Sequence, residues 1–535
     1  MKPIHALLGT IALAAVLAGV YWSFLSDADQ PPPTPPATQP ERTPVPIKPA
    51  RGVVFHDTNG NGRRDAGERG IPGVGVSDQR TVTLTDAEGR WILPGHAKAV
   101  YFVVKPSGYM TPVSEHNIPR FYYLHNDTEP LDLNYPSMPR TGPLPQSIDF
   151  PLVPQQESDR FDAIFMGDPQ PGNHTQVDYF AHDVLEELVG TRAAFAVTLG
   201  DITSDRLDLY EHINQATGMV GIPFYNTPGN HDANYDGGNT YGHYETWRTV
   251  FGPRYYSFNY GPVHFVILSD VLFPEGGHEY ITGLGPDQLE WLEDDLAQVP
   301  RDRLVVVSMH IPPRRGDTVQ DLGYLFMLLR DRPHTLSFSA HNHTITVGFL
   351  DESFGWTGAN SHLHINAGAA CGRWWGGALD ETDLPHATSS DGTPNGYFIV
   401  NFAGTEYAAR FKAARRPVDY QMQVQAPDSV PQGYGSDVPV LVNVFSGSQG
   451  STVEMSVDHA DAWIALELSP QRDPLYARVT QRESGQGSSI SFHMWEGRLP
   501  SGLAPGGHLI GIRTTDIFGQ EFSATRFLRV VNELP

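Results

Sequence analysis

Short apolar runs alternate with helical patterns through the middle of the chain. Residues 178–189 and 286–299 carry apolar side chains at helical spacing, and in the second segment Leu289 and Leu292 share one face. Alternating strands and helices predict an α/β sandwich for residues 149–412, with catalytic groups in loops at the strand ends. Five runs have the length and composition of buried strands: 162–166, 193–199, 263–268, 304–308 and 335–339.

The two flanking regions have a different pattern, in which short strands are separated by turns. Residues 51–140 predict an N-terminal β-sandwich module, including a hairpin over 81–94 with its turn at 86–89. Residues 413–535 contain alternating strands without helical signals, which predicts a C-terminal β-sandwich domain. The predicted fold class is therefore α/β, a central α/β sandwich between two β-sandwiches.

The first residues predict export. Residues 6–25 are uncharged and about long enough to span a bilayer as a helix, and Lys2 favours an N-terminus on the inner side. We interpret 1–29 as a signal anchor, with a cleaved signal peptide as the alternative, and 30–50 as a proline-rich linker. The protein would then be periplasmic or extracytoplasmic, anchored in the inner membrane, or secreted if the segment is cleaved.

Composition excludes some partners. The chain has 535 residues and a net charge of −25, so it lacks the basic balance that a duplex nucleic-acid binder needs. Cys371 is the single cysteine of the sequence, which excludes an intramolecular disulfide.

An asparagine- and glycine-rich stretch near the start has the spacing of a calcium loop. No flanking helices are predicted, so it is not a true EF-hand; it resembles the calcium-stabilised β-sandwich modules of surface proteins. The alternative is a turn that binds no ion. The candidate calcium ligands, at positions 1, 3, 5, 9 and 12 of such a loop, are Asp57, Asn59, Asn61, Asp65 and Glu68.

Polar residues of metal-binding type follow the predicted strands of the central domain. Hydrolysis of a phosphate ester needs a strong nucleophile, neutralised phosphoryl oxygens and a protonated leaving group, and two divalent ions supply the first two. Carboxylate, imidazole and amide groups in short loops after buried strands are suitable ligands for such ions. The residues in these positions are Asp168, Gln170, Asp201, Asn230, His231, His310, His341 and His343.

The order of these motifs resembles that of the calcineurin-like metallophosphoesterase superfamily. The resemblance rests on Asp-Pro-Gln at 168–170, Leu-Gly-Asp at 199–201, Gly-Asn-His-Asp at 229–232, His310 and His-Asn-His at 341–343. It implies two divalent transition-metal ions (Mn, Fe or Zn). One site would be formed by Asp168, Gln170, Asp201 and His343, and the other by Asp201, Asn230, His310 and His341.

The resemblance also assigns catalytic roles. His231 would donate a proton to the leaving alkoxide, and Asp232 would orient its imidazole. Two positions depart from the superfamily pattern, which has Asp-x-His where Gln170 stands and Gly where Ala340 stands. A neutral amide oxygen is a weaker ligand than imidazole, so we expect a looser first site.

A second resemblance covers residues 366–413, which look like the start of the C-terminal module in exported bacterial calcineurin-like phosphoesterases. The aromatic pair and the glycine-rich turns of this segment could contact a leaving group or sugar, and the arginine could pair with a phosphate oxygen. The alternative is ordinary packing and turn formation. The candidate substrate-binding residues are Arg373, Trp374, Trp375 and Asn395.

These features predict an exported dimetal phosphohydrolase. It would cleave phosphodiesters of the cell envelope, or scavenged phosphate esters, by attack of a metal-bridging hydroxide. The alternative among enzymes is a phosphomonoesterase or nucleotidase. The alternative outside enzymes is a calcium-stabilised surface binding protein with a vestigial metal site.

Overall fold

The structure is a computed structural model that describes residues 48–313, 321–434, 437–483 and 487–532. The predicted anchor at 6–25 and most of the predicted linker at 30–50 lie outside these residues. Within them, none of the helices combines the length and the apolar character that a membrane crossing requires.

Two four-stranded sheets form the N-terminal region, in the orders β4-β1-β8-β6 and β3-β2-β5-β7. The predicted turn at 86–89 forms, with Gly89 N donating to Asp86 O at 2.9 Å. The predicted hairpin around it is wrong, because β3 and β4 enter different sheets. The strands are β1 Ala50–His56, β2 Gly75–Ser77, β3 Val82–Leu84, β4 Arg90–Leu93, β5 Lys98–Val103, β6 Tyr109–Met110, β7 Tyr122–Asn126 and β8 Phe150–Pro154.

The central domain contains a five-stranded and a six-stranded sheet, in the orders β11-β10-β9-β20-β21 and β12-β13-β16-β17-β19-β18. The short strands β14 and β15 pair with each other. The strands are β9 Arg160–Met166, β10 Phe195–Thr198, β11 Phe224–Asn226, β12 Tyr256–Tyr260, β13 Val263–Ile267, β14 Val271–Leu272, β15 Ile281–Thr282, β16 Leu304–Ser308, β17 Thr335–Ser339, β18 Ile345–Leu350, β19 His362–Ala367, β20 Gly396–Ala403 and β21 Glu406–Ala413.

The two central sheets pack face to face, and helices cover their outer surfaces. Phe165 of β9 and Phe338 of β17 stack with ring centroids 4.1 Å apart. On the outer surfaces, Phe180 packs in the core next to the first sheet, and the predicted helix at 286–299 buries Leu289 and Leu292. The helices are α1 His174–Phe180, α2 Tyr210–Gly218, α3 Thr240–His243, α4 Glu245–Phe251, α5 Pro286–Ala297 and α6 Leu322–Leu329.

The helix predicted at 178–189 starts earlier and changes its winding. Asn173 caps α1, because its side-chain oxygen accepts from Gln176 N at 3.0 Å. After α1 the chain continues as a π turn, Ala181–Leu185, and a 3₁₀ turn, Glu186–Leu188.

The C-terminal domain is a sandwich of a four- and a five-stranded sheet, β22-β24-β30-β27 and β23-β32-β31-β25-β26. It also contains a helix, α7 Pro474–Glu483, which corrects the prediction of strands alone. The strands are β22 Met422–Gln425, β23 Ser429–Pro431, β24 Pro439–Val444, β25 Thr452–Val457, β26 Ile464–Ala465, β27 Glu467–Leu468, β28 Gln471–Arg472, β29 Ile490–Ser491, β30 Met494–Arg498, β31 Gly506–Thr515 and β32 Glu521–Val531.

The fold class is therefore the predicted one, a mixed α/β domain between β-rich modules. Although the sequence places residues 149–154 with the central domain, β8 pairs with β1 in the N-terminal sheet. Buried charges join the domains: Lys105 Nζ lies 2.6 Å from Glu157 Oε1 and donates to Asn259 O of β12. On the other side, Asp391 lies 3.2 Å from His493 of the C-terminal domain.

A buried ladder of hydrogen bonds crosses the six-stranded sheet. Ser337 Oγ lies 2.7 Å from both His362 Nε2 and His364 Nδ1, and the ladder continues to Thr335 and Ser339 at its two ends. Burial lowers the pKa of each histidine from 6.5 to about 3. Both imidazoles are therefore neutral in the folded protein at neutral pH.

We expect this ladder to make the fold sensitive to acid. The free energy of unfolding is unaffected by these two histidines above pH 6.5. It decreases as the pH falls from there towards 3, because the unfolded chain binds protons that the folded chain does not. The decrease in the free energy of unfolding should reach about 1.4 kcal/mol per pH unit for each histidine. Urea unfolding near pH 7 and near pH 5 measures it.

His364→Gln should reduce this dependence on pH, and His182→Gln, at a side chain that is 65% exposed, provides the control. An unchanged difference between the two pH values in His364→Gln would contradict the assignment.

Candidate metal centre

The predicted ligands lie at one edge of the two central sheets. Strands β9, β10 and β11 are mutually parallel in one sheet, and β13, β16, β17 and β19 are parallel in the other. The carboxyl ends of parallel strands meet at the same edge, so the loops that follow them converge. Each predicted ligand lies in one of these loops.

Three of the predicted ligands form a compact group. One ligand atom from each of Asp201, His310 and His341 lies within 4.8 Å of the others. His310 Nε2 lies 3.3 Å from Asp201 Oδ2, 3.1 Å from Asn230 Oδ1 and 3.2 Å from His341 Nδ1. The four side chains predicted for the second site therefore lie together, with His310 in contact with the other three.

The remaining ligands lie next to this group. Gln170 Nε2 is 3.3 Å from Asp201 Oδ2, and His343 Nε2 is 3.6 Å from Asp168 Oδ1. Asp168 also accepts from His341 N at 3.0 Å. Asp201 thus lies next to residues of both predicted sites, since the same carboxylate oxygen is 3.3 Å from Gln170 Nε2 and 3.3 Å from His310 Nε2.

The backbone turns sharply at most of these positions. The residues concerned are not glycines, yet their φ angles are positive, a conformation that L-residues adopt at a cost of about 1–2 kcal/mol each. Such strain persists only where the surrounding structure enforces it, and here it directs the side chains towards one point. The positions and φ values are Asp168 43°, Gln170 42°, Asp201 51°, His341 64° and His343 52°.

Backbone carbonyls orient two of the imidazoles. His310 Nδ1 lies 2.8 Å from Leu199 O, and His343 Nδ1 lies 2.7 Å from Gly372 O. A proton on each Nδ1 leaves Nε2 free to act as a ligand. The pattern of the sequence did not identify these contacts, since carbonyl acceptors have no sequence signature.

Asp270 is a further residue that the sequence analysis missed. It follows β13, and its carboxylate accepts from His310 N at 3.2 Å and from Ile311 N at 2.8 Å. Burial raises its pKa to about 6. Asp270 therefore holds the backbone of the His310 loop, and its position after a buried strand was the available signal.

The electrostatics of the centre suit cations. Burial raises the pKa of Asp168 well above its usual value, and the charge of Asp201 adds to the effect. Burial opposes the ionisation of Asp201 too, but the charge of His310 and its hydrogen bond have a larger effect and lower the pKa of Asp201 to about 2. Burial opposes the charge of His310, but Asp201 and Asp168 raise its pKa to about 10. In the absence of metal, His310 thus carries positive charge between the carboxylates.

The residues present fit divalent cations. Within the described residues, the buried Oδ1 of Asp168 has no hydrogen-bond donor. An uncompensated buried carboxylate oxygen is costly unless a cation is bound to it. The backbone also leaves no room for a side chain beside the shared ligand, because a Cβ at Gly229 would lie 2.2 Å from Asp201 Oδ1.

His231 lies at the margin of the centre, and its partner is not the predicted one. Its Nδ1 lies 2.8 Å from Asp205 Oδ1, and its backbone N donates to Asp201 Oδ1 at 2.8 Å. Burial opposes the imidazolium, but the hydrogen bond to Asp205 and the charge of Asp201 raise the pKa of His231 to about 9. In the absence of metal, the imidazole is therefore protonated at neutral pH.

The prediction that Asp232 orients His231 is wrong. The Asp232 carboxylate is buried and accepts from Ile202 N at 3.0 Å, Gly229 N at 2.8 Å and Tyr210 Oη at 3.1 Å. It holds together the loops that carry Asp201 and Asn230. Asp205 performs the predicted orienting contact, and no spacing rule in the sequence connects position 205 with His231.

The four candidate substrate-binding residues have different surroundings. Arg373 donates to Tyr476 Oη at 3.2 Å and to Gly487 O at 2.8 Å, both in the C-terminal domain. Trp375 is buried and donates to Pro169 O at 2.8 Å. Asn395 is buried and donates to Asp183 and to Ala370 O. Trp374 is 53% exposed, with its ring centroid 4.9 Å from that of His343.

The candidate calcium loop is closed by its own hydrogen bonds. Asp57 accepts from Asn61 N and Gly62 N, and Glu68 accepts from Thr58 N. Among the described residues, the acidic and histidine groups close enough to hold a metal ion are Asp201, His310 and His341, which does not include this loop. Calcium binding at this loop stays a prediction.

Comparison with known proteins identifies three consecutive family matches. The matched descriptions are the N terminal of calcineurin-like phosphoesterase over residues 58–135, calcineurin-like phosphoesterase over 162–344, and the C terminal of calcineurin-like phosphoesterase over 364–522. A comparison with curated proteins found no match.

Two solved structures are similar to parts of the chain. A purple acid phosphatase from yellow lupin (Lupinus luteus) seeds is 13% identical, with a TM-score of 0.35 over 68% of this chain and 67% of that one. Murine CRIg is 10% identical, with a TM-score of 0.12 over 21% of this chain and 96% of that one. Both TM-scores are low, so neither similarity supports a conclusion about the fold or the function of this chain.

The central fold and its centre define a metal-dependent phosphoester hydrolase. With matches in all three of its regions, the chain belongs to the calcineurin-like phosphoesterase family. Membership implies a dinuclear site for divalent metal ions, which agrees with the group of residues around Asp201.

Proposed function

We propose that the protein is a phosphodiesterase. The observation that carries this proposal is the contact between His231 and Asp205 beside the ligand group, 2.8 Å long. A diester with an alkoxide leaving group needs a proton at the leaving oxygen, as an alkyl monoester also does, because an alkoxide is strongly basic and leaves poorly at neutral pH. A positioned imidazolium supplies that proton.

The ligand assignment is part of the proposal. Asp168, Gln170, Asp201 and His343 would hold one divalent cation, and Asp201, Asn230, His310 and His341 would hold the other. Bound there, the cations would activate water and neutralise the phosphoryl oxygens.

The side chains of this chain contribute orientation and proton transfer. Leu199 O and Gly372 O orient His310 and His343. Asp270 and Asp232 hold the loops of His310 and Asp201 in register. His231, oriented by Asp205, donates a proton from its imidazolium to the leaving oxygen.

A comparison of two esters tests the choice between diester and monoester. We expect a protein that starts near Lys48 and is loaded with manganese to cleave bis(p-nitrophenyl) phosphate with a higher kcat/KM than p-nitrophenyl phosphate. EDTA should abolish both activities, because the nucleophile depends on the metal. A kcat/KM that favours the monoester by about tenfold or more would instead support the phosphomonoesterase or nucleotidase alternative.

The location also stays a proposal. We propose export to the periplasm with anchoring by residues 6–25, supported by the uncharged run and the proline-rich residues that follow it. The substrate would then be a phosphate ester of the envelope or the medium. Recovery of the full chain in a cytosolic fraction would contradict this.

A further inference from the structure

Trp374 is an exposed aromatic side chain held beside the metal centre. Its side chain is 53% exposed, and its ring centroid lies 4.9 Å from that of His343, with an angle of 39° between the planes. His343 is buried and is one of the assigned ligands. The indole therefore borders the place where a phosphoryl group would bind.

The backbone around Trp374 is fixed on both sides. Trp375 is 4% exposed, and its indole donates to Pro169 O in the loop between Asp168 and Gln170. Arg373 is attached to the C-terminal domain through Tyr476 Oη and Gly487 O. The exposed ring thus stands between two anchored neighbours.

The loop adopts a conformation that a tryptophan rarely adopts. Trp374 and Trp375 have φ angles of 49° and 53°, both in the left-handed region. Consecutive non-glycine residues in this region indicate strain that the surrounding contacts maintain. The anchoring residues leave Trp374 53% exposed, so about half of this large apolar residue is not buried in the described structure.

We propose that Trp374 is a specificity residue that stacks on a planar aromatic ring carried by the phosphoester substrate, and that Arg373 positions it through the C-terminal domain. The inference rests on the proposed function, since it assigns a substrate class to the same site. Stacking of flat rings is favourable and depends little on hydrogen-bond pattern. The rigid loop strengthens this stacking interaction, because the Trp374 ring loses little conformational freedom when the substrate binds.

Binding of two phosphonates to the manganese-loaded protein tests the proposal by calorimetry. Phenylphosphonate and methylphosphonate share the phosphoryl group and differ in the ring. We expect the wild type to bind phenylphosphonate about tenfold more tightly. Trp374→Ala should bring the two dissociation constants to within about twofold by weakening only phenylphosphonate, and Trp374→Phe should keep most of the preference.

Arg373→Ala tests the positioning role. The preference for phenylphosphonate should fall by about threefold or more, while the metal content and the affinity for methylphosphonate stay within about twofold of the wild type. Phe527→Ala, an aromatic residue of the C-terminal domain that is 61% exposed, is the matched control and should keep the full preference.

A preference that persists in Trp374→Ala overturns the inference. So does an equal loss of affinity for both phosphonates, which would mean that Trp374 only shields His343. If phenylphosphonate is preferred through Trp374 but no diester is cleaved, the proposed function fails and the inference stands. If diesters are cleaved and the preference is independent of Trp374, the inference alone fails.

Discussion

Asp201→Asn is expected to reduce metal-dependent hydrolysis by more than about a hundredfold. Loss of an outer partner of a ligand costs about 10–100-fold in metal affinity or activity, and Asp201 is the ligand placed between both groups. Its carboxylate lies 3.3 Å from His310 Nε2 and 3.3 Å from Gln170 Nε2, and it accepts from His231 N. An amide in its place removes one negative charge from a centre that requires it.

Two measurements check this result. The metal content of the purified variant should fall below that of the wild type, and kcat/KM for bis(p-nitrophenyl) phosphate should stay low at saturating manganese. Asp162→Asn is the control, because Asp162 lies in β9 of the same domain and accepts from Asn401 at 2.8 Å. Full metal content with wild-type turnover in Asp201→Asn would show that the centre is not the catalytic site.

His231→Ala is expected to lower kcat/KM for hydrolysis, and to lower it most for substrates with the most basic leaving groups. General acid catalysis contributes about 10²–10⁴-fold when the leaving oxygen needs a proton, and little when it does not. We expect kcat/KM for methyl phenyl phosphate to fall by about a hundredfold or more, and kcat/KM for methyl p-nitrophenyl phosphate to fall much less.

Asp205→Asn should also affect substrates with basic leaving groups most, but the decrease in kcat/KM should be smaller, about tenfold. The reason is that the imidazole remains but is oriented less well. The structure provides a matched contrast in Asp232→Asn. Asp232 accepts from backbone N–H groups of the Asp201 and Asn230 loops and does not orient His231. Its replacement should lower the melting temperature without changing the dependence on the leaving group. If Asp232→Asn and not Asp205→Asn changes that dependence, the assignment of Asp205 is wrong.

Much of the fold follows from local patterns. The runs predicted at 304–308 and 335–339 are strands with those bounds. Residues 304–307 are apolar, as is typical of a strand buried on both faces. The buried hydroxyl groups of 335–339 instead form hydrogen bonds with the histidines of β19. The class of the central domain and its flanking β-modules follows from the same patterns. Failures occurred where the local pattern was compatible with two structures. Residues 81–94 have strand patterns on either side of a turn, and nothing in the pattern states whether the two strands pair or separate.

The sequence by itself indicated the family and predicted which residues lie around the candidate metal centre, because strand ends, ligand chemistry and motif order are properties of the linear chain. Only the tertiary structure decided how those residues are supported. Asp205 rather than Asp232 contacts His231, and Arg373 reaches the C-terminal domain instead of the centre. These contacts join residues far apart in the chain or depend on the path of a loop, and such contacts leave no periodic or spacing signal in a single sequence.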